Sequence, residues 1–90
     1  QLGERPAIIL AQTPLQIVVV LPFTTNLKAL RFPFVFQIEP TKRNGLRIPS
    51  VALVFHIRAI DKGRVMRKIG ELDKRDAREI DRVLKKMLNL

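Results

Sequence analysis

The chain has 90 residues, 47% of them hydrophobic, and carries 17 Lys and Arg against 8 Asp and Glu for a net charge of +9. That length predicts one domain over residues 1–90 with a modest core, so pairing into a homodimer would bury useful further area. The composition excludes a disordered tail, and the lack of cysteine excludes disulfides and thiolate metal sites. The longest apolar run, residues 15–23, is broken by Gln16 and Pro22 and is too short to span a bilayer. With no signal-peptide pattern either, the expectation is a cytoplasmic protein with no membrane association.

Residues 1–41 carry three basic and two acidic side chains, and residues 42–90 carry fourteen and six, so +8 of the +9 lies in the second half. A polyanion such as nucleic acid suits that field, and an acidic protein suits it equally.

In chain order, Pro6 opens a short strand over residues 7–11, a position that needs no N–H. Gln12-Thr13-Pro14 is a break. Residues 15–21 predict a second strand, rich in Val and Ile without alternation and so covered on both faces. Its apolar pattern stops at Thr24-Thr25-Asn26, where two hydroxyls and an amide sit at a strand end. Small polar groups there serve a turn through local hydrogen bonds, or a site held by a rigid strand. Residues 32–38 predict a third strand with Phe34, Phe36 and Ile38 on one side. Phe23, Phe32, Phe34 and Phe36 read as core.

Residues 39–49 form a loop, with Asn44-Gly45 as its turn signal. A fourth strand runs over residues 51–57 and bends on through Ile60. Asp61-Lys62-Gly63 then turns the chain into a fifth strand over residues 64–69. The last segment is a helix with Asp73 at its N-cap and Asp76 at N3, a carboxylate version of the capping box. Ile80, Val83, Leu84, Met87 and Leu88 make its apolar stripe, facing the sheet or a dimer partner. Asp81 and Lys85 have ion-pair spacing. The fold class is mainly β with a C-terminal helix: a small, strongly bent antiparallel barrel, since strand edges need closing or covering.

Catalytic metal chemistry lacks its usual signals. His56 is the one histidine and has no partner at ligand spacing, and there is no phosphate loop, dinucleotide fingerprint or nucleophile elbow. Arginines and hydroxyls remain. A guanidinium matches two phosphate oxygens and stays charged. RNA brings its own nucleophile, the 2′-hydroxyl, so a site that aligns it and stabilises the phosphate needs no metal and selects RNA over DNA.

Taken together, Arg5-Pro6-Ala7, Leu21-Pro22-Phe23-Thr24-Thr25-Asn26, Arg31-Phe32-Pro33-Phe34, Gly45-Leu46-Arg47-Ile48-Pro49-Ser50-Val51-Ala52-Leu53 and Ile57-Arg58-Ala59-Ile60-Asp61 resemble the MazF/PemK toxins, the endoribonucleases of bacterial toxin–antitoxin pairs. The resemblance runs from about Arg5 to the end. It implies an SH3-like or CcdB-like barrel, a homodimer, cofactor-free and metal-independent cleavage of single-stranded mRNA, and a cognate antitoxin whose segment fills the RNA groove. It implies Arg5 and Thr24 as the main catalytic pair, one stabilising the phosphate and the leaving oxygen, the other hydrogen-bonded to phosphate oxygens. Thr25, Asn26, Lys28, Arg31, Ser50 and Arg58 are implied as residues of RNA contact or dimer packing.

Two departures set further expectations. Relatives carry a strand and a Gly-rich loop ahead of the Arg-Pro motif, where this chain has four residues, so the barrel is expected to lack its first strand and to have an open edge. Relatives also place an acidic residue and Gln where this chain has Phe55 and His56. Phe55 cannot act as a base; His56 could, since an imidazole is the side chain suited to proton exchange near neutral pH. Strand alternation sets the two on opposite faces. Rival readings are a non-cleaving barrel that binds RNA or an antitoxin, and a CcdB-like toxin directed at gyrase.

Overall fold

The computed structural model describes residues 6–90. Five antiparallel strands, β1 (Ala7–Gln12), β2 (Ile17–Thr24), β3 (Val35–Ile38), β4 (Ser50–Leu53) and β5 (Arg58–Asp61), precede one helix, α1 (Lys74–Leu88). Strand β2 is the axis. Its run of β-branched residues suits a strand with neighbours on both edges, and it has them. β1 pairs along one edge from Ala7 opposite Pro22 to Gln12 opposite Val18. The other edge is shared: β5 takes Ile17 to Val20, and β4 takes Phe23 and Thr24. β3 pairs outside β4. Among the described residues the sheet is open rather than a closed barrel.

The sharing of one β2 edge produces the bend foreseen in the fourth strand. Ala52 faces Phe23 and Arg58 faces Val20. Only Leu21 and Pro22 therefore oppose the five residues between, and the surplus chain folds into a 3₁₀ turn, Val54–His56. The N–H of Phe23 points to β1, where it donates to the Pro6 carbonyl at 3.4 Å. Since N–H groups alternate between strand edges, the missing donor of Pro22 faces this corner and leaves no ladder bond unmade.

The expected strand over residues 64–69 does not form. Residues 65–70 pair with none of the described strands, although β2 is the one strand with which β5 pairs. Asp61 instead accepts from Gly63 N–H through its side chain and caps a 3₁₀ turn over Lys62–Arg64, and the chain beyond runs exposed. The third strand is also shorter than expected. It begins at Val35, because Pro33 and a left-handed Phe34 (φ 57°) bend the chain before it.

The core joins sheet to helix. Leu21, Val54, Ile80 and Val83 are buried together, with Ile8, Leu10, Phe34, Phe36, Ile57, Leu84 and Met87 packed around them. Each fully buried aliphatic side chain of this kind stabilises by about 1.5–3 kcal/mol. The helical stripe thus faces the sheet, except Leu88, which is exposed. The capping box does not form: Asp73 makes no side-chain cap bond. Nor does Asp81 pair with Lys85; Glu79 pairs with Arg82 instead.

Candidate functional site

The end of β2 carries the candidate site. Thr24 is half-buried opposite Val51, and its Oγ1 accepts the Asn26 N–H at 3.2 Å. That bond uses a lone pair and leaves the hydroxyl proton free to donate outward. Asn26 then accepts the Lys28 N–H at 3.0 Å and caps a 3₁₀ turn, Leu27–Arg31. The local-turn reading of Asn26 therefore holds, although the sequence did not announce the 3₁₀ turn it starts. Thr25, Lys28 and Arg31 are exposed. Pro6, which follows Arg5 directly in sequence, is hydrogen-bonded to Phe23, the residue before Thr24. Arg5 itself lies outside the described residues.

Ser50 is 1% exposed, and its hydroxyl donates to the Ile48 carbonyl at 3.3 Å, so its polar group is engaged inside the chain. Arg58 stands exposed on β5, opposite Val20 and across the corner from Thr24. Among the described residues no carboxylate lies within ion-pair distance of Lys28, Arg31 or Arg58. A phosphate would therefore meet these cations without displacing a partner.

Phe55 and His56 do not alternate as neighbours on a strand. Both lie in the 3₁₀ corner, with ring centroids 4.5 Å apart and planes tilted by 40°. A 3₁₀ turn advances about 120° per residue rather than 180°, so adjacent rings can meet. Phe32, expected in the core, is 44% exposed. Its ring meets Phe55 edge-on at 5.7 Å, and the Arg31 guanidinium lies 5.4 Å over it. No local pattern in the sequence signals this, because Phe32 and Phe55 are far apart along the chain.

Residues 1–88 match the family of PemK-like, MazF-like toxins of type II toxin–antitoxin systems. The chain belongs to this family. No curated protein matches it well enough to serve as a named relative. For a toxin of this type the partner that membership implies is an antitoxin. No helix among the described residues of the toxin is long and apolar enough to cross a membrane. Nor do three or more of its described His, Asp or Glu side chains gather as a metal would require.

Proposed function

We propose that this toxin is an endoribonuclease that cuts single-stranded mRNA without a metal or cofactor and is held in check by its antitoxin in the cytoplasm. The observation that carries the reading is the Thr24 hydroxyl, one lone pair occupied by Asn26 N–H and its proton free, at a strand end followed by exposed Lys28 and Arg31, which have no carboxylate partner among the described residues. In the reaction the ribose 2′-oxygen attacks the adjacent phosphorus and loses its proton. The 5′-oxygen leaves and gains one, and the strand ends as a 2′,3′-cyclic phosphate. Thr24 donates to a non-bridging oxygen, which gathers charge as the phosphorus becomes five-coordinate. Arg5 is assigned to the same phosphate and to the leaving oxygen. A homodimer would join two such strand ends along one basic trough. Replacement of the family's acidic residue by Phe55 favours the second reading, a barrel that binds without cutting.

Incubating the toxin with a long single-stranded RNA in EDTA tests this. Cleavage is expected to give cyclic-phosphate ends, to disappear in Arg5→Ala and to fall by roughly 100- to 1,000-fold in Thr24→Ala. Intact RNA with retained binding supports the non-cleaving barrel. Growth arrest with stable mRNA and damaged DNA supports a gyrase-directed toxin.

A further inference from the structure

The corner between β4 and β5 presents a row of side chains that packing alone does not explain. Phe32 leaves 44% of its surface in water although a core lies nearby. Arg31 covers it at 5.4 Å, Phe55 meets its edge at 5.7 Å, and exposed His56 continues the row at 4.5 Å. We propose that Arg31, Phe32, Phe55 and His56 form a base-stacking subsite for single-stranded RNA, an inference that rests on the RNA reading above.

Ring faces and guanidinium planes accept any nucleobase, because every base has a π-face. The charge around the row fits the same occupant. Lys28 and Arg31 lie on the 3₁₀ turn that carries Phe32 to its place, and Arg58 follows His56 by two residues. None has a carboxylate partner among the described residues. An apolar peptide would gain little from that rim, whereas a strand with bases on one side and phosphates on the other uses both. The corner lies opposite Leu21 and Pro22, two or three residues from Thr24 and so about 7–10 Å along the strand. A base stacked there belongs to a nucleotide close to the phosphate that Thr24 would contact. His56 then acts as a positioning residue through its ring.

The test uses fluorescein-labelled, mixed-sequence 2′-O-methyl RNA, which cannot supply the nucleophile, and an abasic strand of equal length. The full chain is expected to bind the base-bearing strand about 5- to 100-fold more tightly. Phe32→Leu and His56→Ala are each expected to shrink that preference while leaving affinity for the abasic strand unchanged. His56→Phe should retain it, since stacking asks only for a ring face at this position. Both positions are exposed, and unchanged melting temperatures would verify the fold; if Phe32→Leu melts early, the His56 pair decides alone. Undiminished preference in Phe32→Leu and His56→Ala overturns the subsite, as does loss in His56→Phe. Equal affinity of the unmodified chain for both strands also overturns it and leaves the rings to a protein segment. In all these cases cleavage in EDTA can persist, so the RNA reading survives; failure to bind either strand removes both.

Discussion

Two asparagine-centred turns in this chain look alike on paper. Thr24-Thr25-Asn26 follows β2, and Thr41-Lys42-Arg43-Asn44 follows β3. Asn44 is 6% exposed, and its side chain is engaged at both ends: Oδ1 accepts from Thr41 N–H and Leu46 N–H, and Nδ2 donates to the Glu39 carbonyl. The Asn44 N–H goes to Thr41 Oγ1. Asn26 is exposed, accepts one bond from Lys28 N–H, and its Nδ2 has no partner among the described residues. The residue types that build a loop's interior are the same types that build a site. What separates the two turns is whether the polar groups have been used up inside the fold.

The Asn44 turn should therefore break on substitution, and the largest effect is expected next to it. Gly45 has φ 72°, and a Cβ there would stand 2.0 Å from the Ile69 carbonyl oxygen. Backbone cannot yield as a flexible side chain would, so Gly45→Ala should lose about 3 kcal/mol or more. Thermal melting would show a fall of roughly 12–24 °C. An alanine that melts like the parent would mean the 39–49 loop is not pinned to the chain at Ile69.

Substituting the two asparagines tests the comparison directly. Asn44→Ala leaves two N–H groups and a carbonyl of a part-buried loop unpaired and should cost about 2–3 kcal/mol. Asn26→Ala removes one exposed cap and should cost about 1 kcal/mol or less. In the RNA-cleavage assay the order should reverse at a temperature where both remain folded. Asn26→Ala frees the backbone that orients the Thr24 hydroxyl and should slow cutting several-fold, while Asn44→Ala leaves the rate near that of the parent. Equal stability losses in urea unfolding, or an unaffected rate in Asn26→Ala, would erase the distinction between the turns.

Much of this architecture was legible because it rests on local signals. Val18, Val19 and Val20 announced β2, and the spacing of Ile80, Val83, Leu84 and Met87 announced the face of α1 that packs on the sheet. Failures came where a distant partner decides. Val65 and Ile69 read as a strand, but a strand needs a partner edge as well as a sequence, and residues 65–70 pair with none of the described strands. Phe32 read as core because an aromatic residue usually is, and no local pattern says that Pro33 and Phe34 will swing it outward. For the site, Thr24 was legible as a hydroxyl at a strand end. The ring row was not, because Phe32 and Phe55 are joined only by the bend of the whole sheet.

A third buried polar residue sharpens the contrast from the opposite side. Asn44 and Ser50 are buried with their hydrogen bonds made, but Asp76, 5% exposed in the first turn of α1, has an Oδ2 without a partner. Burial pushes its carboxyl pKa up; Arg75 opposes the shift, and Asp73 and Glu79 add to it. A carboxyl whose pKa is higher in the folded chain binds its proton more readily there than when unfolded. Stability on its account is therefore greatest at low pH and falls as pH rises from the ordinary carboxyl range through the raised value. Asp76→Asn, similar in shape and without the charge, should be more stable at neutral pH by about 1 kcal/mol, reduced somewhat by losing a negative charge near the helix N-terminus. The gap should narrow as pH falls to about 4, into the ordinary carboxyl range, where the native carboxyl takes up its proton ahead of the unfolded one. Urea unfolding of both proteins at the two pH values measures this. A gap that widens on acidification would mean that the charged form of Asp76 is held by a partner, and that this buried group too is fully used.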